Sequence, residues 1–137
     1  MFLQRFGLRR LKIKDCMTKE PTTLRPTTHV LTARRIMGEE KIRHLPVVDG
    51  KKLIGIISER DLDHYAAVYK NKDIDREVMV EELCIFQPYA VDENTELVKV
   101  LPAMRENKYG SILVTKKGEL SGILTYIDVC RILERVL

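Results

Sequence analysis

From Val30 to Lys41 the apolar residues Val30, Ala33, Ile36 and Met37 recur at three- and four-residue spacing, which predicts a helix with one buried face. The next run, HLPVVDGKKLIGIIS from His44 to Ser58, is apolar on both sides of an Asp-Gly-Lys turn and predicts a β-hairpin. A second helix is predicted over about Glu59–Tyr69, and a short strand-like piece, TTL at 22–24, stands ahead of all these elements. The same order returns downstream. YAV at 89–91 precedes a helical stretch, then the hairpin SILVTKKGELSGILT with KKGE at its turn, then a last helix over about Tyr126–Val136. Thr27 or Thr28 is the expected cap of the first helix, and Asn94 or Thr95 that of its counterpart. Pro102 falls inside the counterpart helix and is expected to kink it or to end its first turn.

The likeness of the two halves is a register, not an impression. Gly55 and Gly122 stand 67 residues apart, as do Asp61 and Asp128. Carried without a gap from Ile13 to Leu62, that offset superposes Pro21 on Pro88, Thr28 on Thr95, Met37 on Met104, Val47 on Val114 and Leu53 on Leu120. The chain therefore reads as a duplication of a β-α-β-β-α unit. We divide it into an N-terminal arm (1–12), a first repeat (13–70), a charged linker (71–79) whose residues 71–77 form a solvated face, and a second repeat (80–137). One unit alone leaves an apolar sheet face uncovered, so the expected architecture is two pseudo-symmetric halves packed into one module of mixed α/β (α+β) class.

Composition narrows the function classes. Of 137 residues, 45% are hydrophobic and only 6% aromatic, with no Trp, so the core should be aliphatic, with Met17, Met37, Met79 and Met104 as fillers. Cys16, Cys84 and Cys130 show no C-x-x-C spacing and suit a reduced, cytoplasmic setting; no His stands at metal-ligand spacing from them. No apolar run reaches a membrane span, and MFLQRFGLRRLKIK is basic and amphipathic without the apolar centre of a signal peptide. The net charge of +4 suits anionic partners, but the basic residues are scattered and lack interleaved aromatics, which disfavours nucleic acid. Neither a glycine-rich phosphate loop nor a nucleophile with a base at motif spacing is present, so an enzyme is not expected.

The candidate chemistry lies in the repeated GIISERD (55–61) and GILTYID (122–128). A hydroxyl three residues ahead of an Asp, where a strand hands over to a helix, forms a capping box and needs no further purpose. The same geometry offers a helix N-terminus to an anion and a carboxylate to a vicinal diol such as ribose. Arg60 adds a phosphate-pairing cation that the second copy, with Tyr126 and Ile127, lacks.

With DCMTKEPTTLRPTTHVLTA, RHLPVVDGKKLIGIISERDL and the echoes ENTELVKVL and GSILVTKKGELSGILTYIDV, the chain resembles a tandem pair of cystathionine-β-synthase (CBS) domains, a Bateman module, over nearly its whole length. The resemblance implies two CBS repeats packed through their sheets, with clefts that bind AMP, ADP, ATP, S-adenosylmethionine or NAD-type nucleotides. It implies no obligatory cofactor, a homodimer, and a sensing role for a partner protein whose identity it leaves unknown. Asp61 and Asp128 would take ribose hydroxyls, with Ser58 and Thr125 holding ribose or phosphate. The cleft of Asp128 would add Thr22, Ile42, Arg43 and His44; that of Asp61 would add Arg60, Tyr89, Tyr109, Gly110 and Ser111. The alternative is an assembly module in which both Asp residues are only caps.

Overall fold

The computed structural model describes residues 7–70, 72–86 and 88–137. The first six residues of the expected arm, and Asn71 of the expected linker, lie outside them. Among the described residues a 3-10 turn (Ile13–Asp15) is followed in order by β1 (Thr18–Lys19), α1 (Val30–Glu40), β2 (His44–Asp49), β3 (Lys52–Ser58), α2 (Glu59–Val68), α3 (Ile74–Glu77), α4 (Val80–Leu83), β4 (Ile85–Phe86), β5 (Ala90–Asp92), α5 (Leu97–Asn107), β6 (Ser111–Lys116), β7 (Glu119–Thr125) and α6 (Tyr126–Val136). The 67-residue offset carries α1 onto α5, β2 onto β6, and β3 onto β7 without an end mismatch. Even the register shift between Val47 and Val48 recurs between Val114 and Thr115.

The elements sort into two compact units. One is continuous, Thr22–Pro88. Its sheet runs β2-β3-β4, and Leu24 lies parallel to Val47 at its edge. The core gathers Val30, Ala33 and Met37 from α1 with Leu45, Val47, Ile57 and Leu62. The second unit is assembled from two stretches, residues 7–21 and Tyr89–Leu137. Its sheet runs β1-β7-β6-β5, and Ile13, Leu97, Val100, Met104, Ile112, Val114 and Leu124 fill the core. All of these are aliphatic or Met, as the scarcity of aromatics implied.

Each unit is completed by a segment that precedes the other unit's helix–hairpin in sequence. Ile13 N donates to Thr95 O at 2.8 Å and Leu97 N to Leu11 O at 2.8 Å. Val80 N donates to Thr28 O at 2.8 Å and Val30 N to Val78 O at 3.0 Å, the same bonds displaced by one repeat. These bonds explain why the predicted caps differ from the observed ones. His29 and Glu96 hold the N-cap positions without a side-chain cap, and backbone carbonyls of the docked segments take the N–H of Val30 and of Leu97, the first residue of each helix.

Glycine at the head of the motif has a packing cause. The two-residue strands β4 and β1 cross it: Gly55 pairs with Phe86, and Gly122 with Lys19. A Cβ on Gly55 would stand 2.5 Å from Ile85 O, and one on Gly122 would stand 2.8 Å from Thr18 O.

Pro102 neither ends α5 nor its first turn. Its missing N–H deprives the carbonyl of Val98, an exposed residue, of its usual intrahelical donor. The connector's charged residues Lys72, Asp73, Arg76 and Glu77 are solvated as expected, but Ile74 and Val78 are buried in the core. Arg34 fastens the connector further, bonding Asp75 at 2.8 Å and Asp63 at 2.9 Å. Among the described residues no helix is long and apolar enough to cross a membrane.

Candidate functional site

In the continuous unit, Ser58 ends β3 and opens α2. Ser58 Oγ accepts from Asp61 N at 3.1 Å, and Ser58 N donates to Asp61 Oδ2 at 3.2 Å, a closed capping box. Asp61 Oδ1 has no hydrogen-bond partner among the described residues. His44 lies opposite Ser58 in the hairpin, and Arg43 O accepts from Glu59 N at 2.9 Å. Pairing and helix start thus bring Arg43, His44, Ser58, Arg60 and Asp61 to one end of β2–β3, with both arginines exposed. Ile42 follows the left-handed Lys41 and packs half-buried on the core. Thr22 donates to Glu40 at 2.9 Å. A hollow of about 1070 Å³ in this unit lies elsewhere, at the Asp49-Gly50 turn beside Arg25, Glu81 and Phe86, and its lining includes none of the motif residues.

Burial pushes the His44 imidazole below its ordinary value of 6.5; Asp61 opposes the drop and Arg43 adds to it. Well above pH 6.5 the ring is neutral whether the chain is folded or not, so its contribution to stability is flat there. As pH falls through 6.5 the unfolded chain takes the proton first, and stability declines until the lower folded value is passed. We expect the melting temperature to fall from pH 7.5 to 5.5, and to fall less in His44→Gln, when both are followed by circular dichroism.

In the second unit Thr125 and Asp128 repeat the box, at 2.9 Å from Thr125 N to Asp128 Oδ2 and 3.4 Å from Asp128 N to Thr125 Oγ1. Here the carboxylate is 3% exposed and accepts more bonds. Thr125 Oγ1 donates to Oδ2 at 3.1 Å, while Thr18 Oγ1 at 3.0 Å and Arg131 at 3.4 Å reach Oδ1. Ser111 lies opposite Thr125 and half-buried Gly110 precedes it. Tyr109 stacks on Tyr89 with ring centroids 5.2 Å apart. Sequence reasoning missed Thr18. The mismatch with its counterpart Ile85 across the repeat was the available signal.

The CBS domain family matches residues 13–67 and 76–135. The chain belongs to the CBS domain family. Both boxes fall within matched CBS repeats. A Vibrio cholerae crystal structure named for acetoin utilization (AcuB) is 31% identical with a TM-score of 0.86, over 93% of this chain and 94% of that one. CBSX2 in complex with AMP is 25% identical, TM-score 0.77, over 91% and 97%. The CBS domain pair of protein MJ0100, in complex with 5′-methylthioadenosine and S-adenosyl-L-methionine, is 25% identical, TM-score 0.80, over 93% and 98%. Among curated relatives, an uncharacterized 33.4 kDa protein of Thermofilum pendens is 29% identical over 134 residues, and this chain spans 92% of itself but 45% of that protein.

Proposed function

We propose that this CBS pair is a non-catalytic regulatory module that binds AMP or a related adenosyl ligand and reports its presence to a partner protein. The observation that carries the reading is the Asp61 box, in which a carboxylate is fixed at a helix start with one oxygen free for a diol hydroxyl. Arg60, one residue ahead of Asp61 and exposed, suits a phosphate at that cleft, and Arg43 remains assigned to the cleft of Asp128. Solved relatives at 25% identity bind AMP, methylthioadenosine and S-adenosylmethionine, which share that diol.

A second reading, self-assembly without a ligand, is favoured by the exposed apolar residues Tyr126, Ile127 and Leu133 on α6. One measurement separates the two. A ligand that binds only the folded chain raises its melting temperature. AMP, ADP, ATP, S-adenosylmethionine and methylthioadenosine are titrated at up to millimolar concentration, and at least one is expected to raise it. Asp61→Ala is expected to weaken AMP by about tenfold or more, since a charged acceptor is lost. No shift with any of the five, together with a dimeric mass by sedimentation, would replace the nucleotide reading with the assembly reading.

A further inference from the structure

We propose that Thr18 sets the order in which the two carboxylates are used: Asp61 takes a ligand diol directly, and Asp128 takes one only by giving up its bond to Thr18. The inference rests on the nucleotide reading above and specifies how it is carried out.

A carboxylate offers about four acceptor positions. Asp128 engages four donors of its own unit: Thr125 N, Thr125 Oγ1, Thr18 Oγ1 and Arg131. Asp61 engages one, Ser58 N, at 3.2 Å. The difference follows from the sequence at the exchanged strands. Thr18 sits opposite Ile123 on β1, and β1 can approach because Gly122 carries no side chain. The position equivalent to Thr18 is Ile85 on β4, which has no hydroxyl and is 53% exposed. A diol arriving at Asp61 therefore displaces only water. A diol arriving at Asp128 exchanges one hydroxyl bond for another, with little net gain. Thr18 is thus a specificity-determining residue: it leaves one site open and holds the other in reserve.

The test is calorimetric titration of the full chain with AMP. For the unaltered chain we expect a tighter first equivalent and a weaker second. Asp61→Asn should weaken the first by about tenfold or more, and Asp128→Asn should act on the second. Thr18→Val removes the hydroxyl at nearly constant volume and should tighten the second equivalent about fivefold, whereas Thr18→Ser, which keeps the hydroxyl, should not. Loss of the first equivalent in Asp128→Asn but not in Asp61→Asn overturns the proposal, and so does a second equivalent unmoved by Thr18→Val. In both cases the nucleotide reading still stands. If the unaltered chain binds no AMP, methylthioadenosine or S-adenosylmethionine, both fall together. Should Asp128→Asn not fold, the Thr18→Val arm decides alone.

Discussion

Ile13→Ala is expected to cost about 3 kcal/mol, and to be felt first by strands lying roughly a hundred residues further along the chain. Ile13 is 0% exposed and packs with Leu97, Val100, Met104, Ile112, Val114 and Leu124. Removing its branched end leaves a void that these neighbours, drawn from α5 and both strands of the β6–β7 hairpin, cannot close without moving backbone. Hydrogen exchange reads the location of the effect. Amide protection should drop across Ser111–Thr125 before it drops across His44–Ser58. Equal loss in both, or loss confined to 44–58, would contradict the assignment of Ile13 to the second unit's core.

Gly55→Ala should cost a comparable amount for the opposite reason, too much matter rather than too little. The added methyl would lie 2.5 Å from Ile85 O and 3.0 Å from Cys84 Sγ. A side chain could rotate away; a carbonyl oxygen fixed in the β3–β4 pairing cannot. The strand must separate, which exposes the Cys84 side of the core. We expect a loss of about 2–3 kcal/mol, seen as a urea midpoint lowered by about 1 M. Gly122→Ala should behave alike, since its methyl would meet the Met17 side chain and, at 2.8 Å, Thr18 O. A midpoint unchanged in either variant would show that the crossing strand is not seated as described.

Much of this architecture was legible because it is written twice. The spacing of Val30, Ala33 and Met37 located α1 to within a residue, and the same offset transferred the hairpin and the last helix. Both capping boxes followed from a hydroxyl three residues ahead of an Asp, since that geometry is local. The rest escaped for a common reason: its partners are distant. Two-residue strands such as Thr18–Lys19 and Ile85–Phe86 are too short to show a period. The helix starts at His29 and Glu96 are answered by carbonyls from another stretch of chain, so the hydroxyl residues nearby lost the capping role that local preference gave them. Thr18 reaches Asp128 across 110 positions, and no spacing rule spans that distance.

The split composition of the second unit also has a consequence for how the protein is made. Chains leave the ribosome from the N-terminus. Thr22–Pro88 is one uninterrupted stretch, so it can close as soon as it has emerged. Residues 7–21 emerge earlier and wait longest, because β7, which they must join, is translated about a hundred residues later. Throughout that interval Leu11, Ile13 and Met17 have no native core to enter. The nascent chain thus carries an apolar segment past its first finished half until β7 arrives to receive it.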